Sequence, residues 1–217
     1  MTDFARRRTT MVDTQVRPSD VTKFPIIDAM LTVAREDFVP ADKRDAAYAD
    51  AHIDLGDGRV VMDPRTLAKM LEAADIQPDE LVLDVGAGLG YSSALAGRLG
   101  EAVIALEEDE DRVSAASGLL AEAGIDNAAA VHGTLSEGAA KHGPYDVILL
   151  QGAVEHMPEA LTDQLKDGGR IAAIFAEGAL GVMRVGYRID GAMTWRFAFN
   201  AGAPVIPGFE ARRAFTL

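Results

Sequence analysis

Residues 81–92, Leu-Val-Leu-Asp-Val-Gly-Ala-Gly-Leu-Gly-Tyr-Ser, hold the clearest chemistry in the chain. A short apolar run carries an acid near its end, Asp84, and glycines follow at Gly86, Gly88 and Gly90. The run Leu81 to Val85 reads as a buried parallel strand, and Tyr91 to Leu99 reads as the helix after it. A glycine turn between strand and helix lets backbone approach a ligand closely, because no Cβ intervenes. Free N–H groups at the start of the helix favour an anionic group there. Open α/β sheets bind nucleotide-like ligands at such turns. A second apolar run, Ala102 to Leu106, ends in Glu107 and Glu108. An acid about 20 residues beyond the glycines is placed to take two ribose hydroxyls.

The spacing narrows the choice of ligand. A dinucleotide fingerprint reads G-x-G-x-x-G, whereas here it is G-x-G-x-G, with Tyr91 where the third fingerprint glycine belongs. The sequence lacks the G-x-x-x-x-G-K-[ST] phosphate loop, which argues against an ATPase or GTPase. Acid, glycines, then an acid at the next strand end resembles the S-adenosylmethionine site of class I methyltransferases. A nicotinamide cofactor and a ligand-free βα turn are the alternatives these residues leave open.

The elements that must hold this turn follow from pattern. Strands are predicted at 81–85, 102–106, 128–132, 145–150 and 170–175, and helices at 91–99, 110–123, 135–141 and 157–166. Such alternation means a parallel sheet covered on both faces. From Gly181 onward the pattern suggests antiparallel strands at Val182–Ile189 and Met193–Ala201, and a last piece around Ala214. Residues 1–80 read as mostly helical. Pro25 opens a helix that closes before Pro40, Gly56 and Gly58 mark a turn, and Pro64 opens a helix with Leu67, Met70 and Leu71 on one face. The fold class is therefore α/β: a Rossmann-like, mostly parallel seven-stranded sheet with helices on both faces and an N-terminal helical extension. The expected division is 1–80 for the extension, on the substrate side, and 81–217 for the cofactor-binding core.

Composition bounds the function. The chain has 217 residues, 48% hydrophobic, with no cysteine and a net charge of −13. Without cysteine there is no disulfide framework and no thiolate metal site, which fits a reducing, cytoplasmic setting. No stretch approaches the roughly 18 apolar residues of a membrane helix, and no apolar h-region follows the early arginines, so neither a membrane span nor a signal peptide is expected. The acidic surface would repel a phosphate backbone, so nucleic acid is not an expected partner. The basic cluster Arg6, Arg7, Arg8, Arg17 and Lys23 reads as a solvated terminus.

From about residue 25 to the end, the chain resembles the protein-L-isoaspartate O-methyltransferase family. Asp28-Ala29-Met30 through Arg35-Glu36-Asp37-Phe38-Val39-Pro40 is similar to the family's N-terminal helix and its R-E-x-F-V-P ending. Ala47-Tyr48-Ala49-Asp50 is similar to its A-Y-x-D, and Gly56 and Pro64 to the glycine and proline of the next segment. Tyr91-Ser92 continues the glycine motif, and Pro144-Tyr145-Asp146-Val147-Ile148 resembles P-Y-D-x-I. Pro158, Leu161, Gln164-Leu165 and Gly168-Gly169-Arg170 complete the ordered set.

The resemblance implies S-adenosylmethionine as cofactor, S-adenosylhomocysteine as product, and an isoaspartyl carboxylate in a damaged protein or peptide as acceptor. By resemblance and position, Asp84, Gly86, Ala87, Gly88, Tyr91 and Ser92 would hold the methionine end. Glu107 would take the ribose hydroxyls, with Glu108 the next candidate, and Gly133 and Thr134 would border the adenine. Gln151, Gly152 and Ala153 would line the methyl group and acceptor. The sequence departs from the family at Met62, where a serine that touches the substrate carboxylate is usual. It also departs at Asp63, at Gly133-Thr134 in place of Gly-Asp, at Gln151 to Glu155, and at Ile206 to Phe209. Met62 and Asp63 should weaken binding of an anionic acceptor, so a changed acceptor, or cofactor binding without transfer, are the alternatives. A carboxylate acceptor needs no general base, since its pKa near 4 leaves it ionised at neutral pH. His52, His132, His142 and His156 have no ligand spacing on one helix, so no metal is expected, and none is expected to act as base.

Overall fold

The computed structural model describes residues 3–177 and 180–211. Helix α1 (Phe4–Met11) starts at Asp3, whose side chain accepts from the Arg6 N–H, and a π turn and a 3-10 turn carry the chain on to Ser19. The segment expected as a solvated terminus is therefore a folded part of the protein. Met11, Val12 and Val16 are buried, so its apolar face outweighs its arginines. Arg8 is held 3.1 Å from Glu36 and donates to the Tyr48 hydroxyl at 2.9 Å.

Helix α2 (Phe24–Thr32) has Pro25 in its first turn and buries Ile26, Ile27 and Met30, a position where proline's missing N–H is not needed. The next two strands, β1 (Ile53–Gly56) and β2 (Arg59–Val61), form a hairpin. Its two-residue loop is Asp57-Gly58, both with positive φ (53° and 72°), the geometry that twists a hairpin correctly and favours Asp-Gly. Helix α3 (Pro64–Ala74) is capped by Asp63, which accepts from the Thr66 N–H at 2.9 Å. Its buried face is Leu67, Ala68, Met70, Leu71 and Ala74.

The alternating half follows: β3 (Leu81–Val85), α4 (Tyr91–Gly97), β4 (Ala102–Glu107), α5 (Glu110–Glu122), β5 (Ala128–His132), β6 (Tyr145–Val154), α6 (Glu159–Thr162) and β7 (Leu165–Glu177). The chain ends in β8 (Leu180–Ile189) and β9 (Ala192–Asn200). Among the described residues one sheet of seven strands has the order β5-β4-β3-β6-β7-β8-β9, parallel through β7 and antiparallel after it. Residues two apart share a face. Val82, Val147 and Leu149 pack with the N-terminal elements, while Leu83, Val85, Ile148 and Leu150 pack with Leu161, Ile206 and Phe209.

The predicted helix 91–99 ends at Gly97, and two others are much shorter than their sequence patterns suggest. The predicted helix 135–141 is two 3-10 turns, Leu135–Glu137 and Ala140–His142, because Gly138 between them has φ +70°. The predicted helix 157–166 shrinks to α6, because Tyr145 already pairs with Leu165 as β7 begins. The strand piece expected around Ala214 lies outside the described residues.

Candidate cofactor site

Strand order reverses between β3 and β6: the chain runs outward to β4 and β5, then returns to pair β6 with β3. Such a switch point opens a crevice at the carboxyl ends of the strands. Asp84 lies there, facing Leu149 of β6. It is fully buried and its carboxylate accepts three hydrogen bonds, from Ser92 Oγ at 2.6 Å, Ser93 Oγ at 2.5 Å and Gln151 Nε2 at 2.6 Å. Burial pushes its pKa above the usual carboxylate range, against the pull of those three donors.

The loop above it bends through Gly86, Gly88 and Gly90, with φ of 79°, 59° and 95°. Only glycine adopts this series without strain. Glu107, at the end of β4, turns back onto the loop. Its carboxylate accepts from the Gly88 N–H at 2.8 Å and from the Glu108 N–H at 3.0 Å, and only 1% of the residue is exposed. The two acids that the sequence sets at successive strand ends therefore flank one glycine turn.

The structure distributes the expected site residues unevenly. Gly86, Ala87, Tyr91, Ser92 and Gln151 line one small cavity, and Val60, Val61, Met62 and Leu67 close it from the hairpin side. Glu108 and Thr134 are exposed and Gly133 is half-buried, its N–H donating to the Glu107 carbonyl at 3.0 Å. Gly152 and Ala153 do not line that cavity. Ala153 pairs with Val205, its N–H donating to the Pro204 carbonyl at 2.8 Å, and a Cβ on Gly152 would stand 2.6 Å from Ile206. The chain's own C-terminal segment thus covers the face expected to meet the acceptor. Asp63 caps α3, its carboxylate accepting from the Thr66 N–H, so it is not a bare charge facing an acceptor. His52 Nδ1 accepts from the Asp63 N–H at 2.9 Å, leaving Nε2 as the donor to the Gly202 carbonyl at 2.9 Å. Among the described residues no cluster of His, Asp and Glu could hold a metal ion.

Arg59 is the residue that sequence reasoning missed. Its guanidinium reaches from β2 across the glycine loop and grips both oxygens of Glu107, at 3.1 and 3.2 Å. The available signal was an arginine opening an apolar run, Arg59-Val60-Val61-Met62: a strand arginine that turns inward must find an acid.

This geometry can be set beside known proteins. The family model described as protein-L-isoaspartate(D-aspartate) O-methyltransferase matches residues 6–192. The chain belongs to this family. A protein-L-isoaspartate O-methyltransferase of Koribacter versatilis is 40% identical over 171 residues, covering 79% of this chain and 77% of the relative. One of Methylorubrum populi is 39% identical over 174 residues, covering 79% of each. Among solved structures, a protein-L-isoaspartate O-methyltransferase superposes with a TM-score of 0.79 at 23% identity, over 93% of this chain and 66% of that one. A Plasmodium falciparum structure described under the same name, in complex with S-adenosyl-L-homocysteine, gives 0.78 at 18% identity over 94% of this chain and 98% of that one. These two likenesses concern the fold. They agree with the predicted Rossmann-like sheet and N-terminal helical extension of this methyltransferase family.

Proposed function

We propose that this protein transfers the methyl group of S-adenosylmethionine to the carboxylate of isoaspartyl residues in damaged proteins, releasing S-adenosylhomocysteine. Membership of the protein-L-isoaspartate O-methyltransferase family supports the reaction class. One observation carries the site assignment: Asp84 and Glu107 flank the same glycine turn, with Glu107 bound to the Gly88 N–H. S-adenosylmethionine supplies a methyl group on a cationic sulfur, ready for in-line displacement.

The donor set suits that cofactor. Glu107 can accept both ribose hydroxyls through charge-assisted bonds. Asp84 fixes Gln151 and the first turn of α4 beneath the glycine loop, so the loop presents one geometry to the methionine end. The acceptor carboxylate is ionised at neutral pH, so the remaining task is positioning, with reacting atoms roughly 3 Å apart. Two of the protein's imidazoles have other partners: His52 Nε2 donates to the Gly202 carbonyl at 2.9 Å, and His132 Nε2 lies 3.0 Å from the Glu108 carbonyl.

We infer a protein or peptide partner in the cytoplasm rather than nucleic acid. The net charge of −13 and the absence of cysteine support this. Among the described residues no helix is long and apolar enough to cross a membrane. The test is labelled methyl transfer to an isoaspartyl peptide beside its aspartyl twin. Base-labile label on the isoaspartyl peptide alone is the expected result. No label on either, with S-adenosylhomocysteine still bound, would favour a different acceptor. The buried apolar Met62, standing where the family resemblance implies a hydroxyl, favours that second reading.

A further inference from the structure

The hairpin β1–β2 lies directly on the glycine loop. A Cβ on Gly86 would stand 2.5 Å from Arg59 Nη2, and one on Gly88 would stand 2.7 Å from Leu55 Cδ1. The glycines that would let a cofactor approach the backbone therefore admit the protein's own side chains. The cavity left between Val60, Met62, Gly86, Tyr91 and Gln151 is about 10 Å³, the threshold for a single water and far below the size of a nucleoside.

Arg59 is bound as a ligand would be. It is 4% exposed, its fork pairs both oxygens of Glu107, and its Nε has no hydrogen-bond partner among the described residues. A ribose diol also offers two adjacent donors to one carboxylate, so guanidinium and diol are geometric substitutes on Glu107. Arg112 braces the hairpin from α5, donating to the Leu55 carbonyl at 3.0 Å and to Asp57 at 3.3 Å. Glu107 would not be left bare without Arg59: the Gly88 and Glu108 N–H groups still donate to it, and Arg112 Nη1 lies 3.8 Å away.

We propose that Arg59 occupies the ribose position on Glu107, and that cofactor binding exchanges the Arg59 guanidinium for the ribose diol. This makes Arg59 the residue that sets cofactor affinity in this chain, and it rests on the cofactor reading above. Binding then draws on only the fraction of molecules in which Arg59 has left Glu107, and the apparent dissociation constant is raised by the inverse of that fraction. An open fraction of about one tenth weakens binding about tenfold.

The test is calorimetric titration of the full chain with S-adenosylhomocysteine, comparing wild type, Arg59→Gln and Arg59→Lys. The expected result is binding about tenfold tighter in Arg59→Gln, with Arg59→Lys in between because a single ammonium lacks the two-pronged fork. If Arg59→Gln does not fold, tighter binding by Arg59→Lys still carries the proposal. Equal or weaker binding by the folded variants, with wild type binding normally, overturns the role of Arg59 and leaves the cofactor reading standing. No binding by wild type or variants at millimolar ligand overturns both.

Discussion

The Arg35 guanidinium lies 4.8 Å from the centroid of the Tyr91 ring, and Arg35 is fully buried. This contact joins the N-terminal extension to the helix that opens the cofactor site. Arg35 donates through Nε to the Ala47 carbonyl at 2.7 Å and through Nη2 to the Met62 carbonyl at 2.8 Å. One side chain thus fixes the 3-10 region, the residue before the Asp63 cap and the ring of Tyr91. Phe38 packs against the same ring, with centroids 6.0 Å apart and the rings tilted. Burial lowers the pKa of Arg35 and raises that of Tyr91; the guanidinium remains a cation, and the phenol stays neutral and presents its ring face to it.

Replacing Arg35 by lysine should therefore be far from conservative. An ammonium cannot serve both carbonyls from that position or stack on the ring, and two buried carbonyls lose charged partners. We expect a loss of about 2–4 kcal/mol in urea unfolding. Tyr91→Phe should cost less than about 1 kcal/mol, because the Tyr91 hydroxyl has no hydrogen-bond partner among the described residues. Comparable losses for the two variants would remove Arg35 as the organising group.

Much of this was legible in the sequence because it is local. The apolar runs 81–85 and 102–106 become strands almost to the residue, since a buried parallel strand is a short aliphatic run bounded by turns, and 128–132 becomes the partly exposed strand at the sheet's edge. Asp84 and Glu107 are legible for the same reason, as acids at strand ends. The meeting of Arg59 with Glu107 spans 48 positions, and nothing local at either residue encodes it. The basic terminus misleads for a related reason. Its arginines dominate its composition, while the few residues it buries, Met11, Val12 and Val16, matter only once a core exists to receive them.

Glu107→Ala tests the acid at the end of β4 in two ways. Affinity for S-adenosylhomocysteine, read by calorimetry, should fall by about tenfold or more, equivalent to about 1.4 kcal/mol. Stability should fall as well, by about 3–5 kcal/mol, because Arg59 is left buried without its partner. Unchanged affinity would refute the ribose role of Glu107, whatever happens to stability.

Asp84 should make stability depend on pH in a stated direction. Burial raises its folded-state pKa above the unfolded value, so the folded state holds its proton more tightly. The favourable contribution is complete below the unfolded pKa of about 3.9 and is lost as pH rises through the folded pKa. Asp84→Asn has no such proton to lose. In urea unfolding from pH 4 upward, wild type should therefore lose ground relative to Asp84→Asn and then run parallel to it. A gap that moves the opposite way would mean that the donors from Ser92, Ser93 and Gln151 outweigh burial.

Met62→Ser separates the two acceptor readings. Met62 is 1% exposed and shares the core with Leu67 and Tyr91, so shortening it to serine should cost about 2–5 kcal/mol by analogy with buried Met→Ala changes. The Arg35 bond to its backbone carbonyl survives, which keeps the segment in place. If the acceptor is an isoaspartyl carboxylate, the new hydroxyl donates to it equally in ground and transition states. KM for the isoaspartyl peptide should then fall severalfold with kcat unchanged, the signature of uniform binding. A variant that folds, turns over the peptide and shows the wild-type KM would mean that this chain recognises its acceptor through other residues. The covered face at Gly152 and Ala153 would then be the next place to probe, by loosening Ile206 from it.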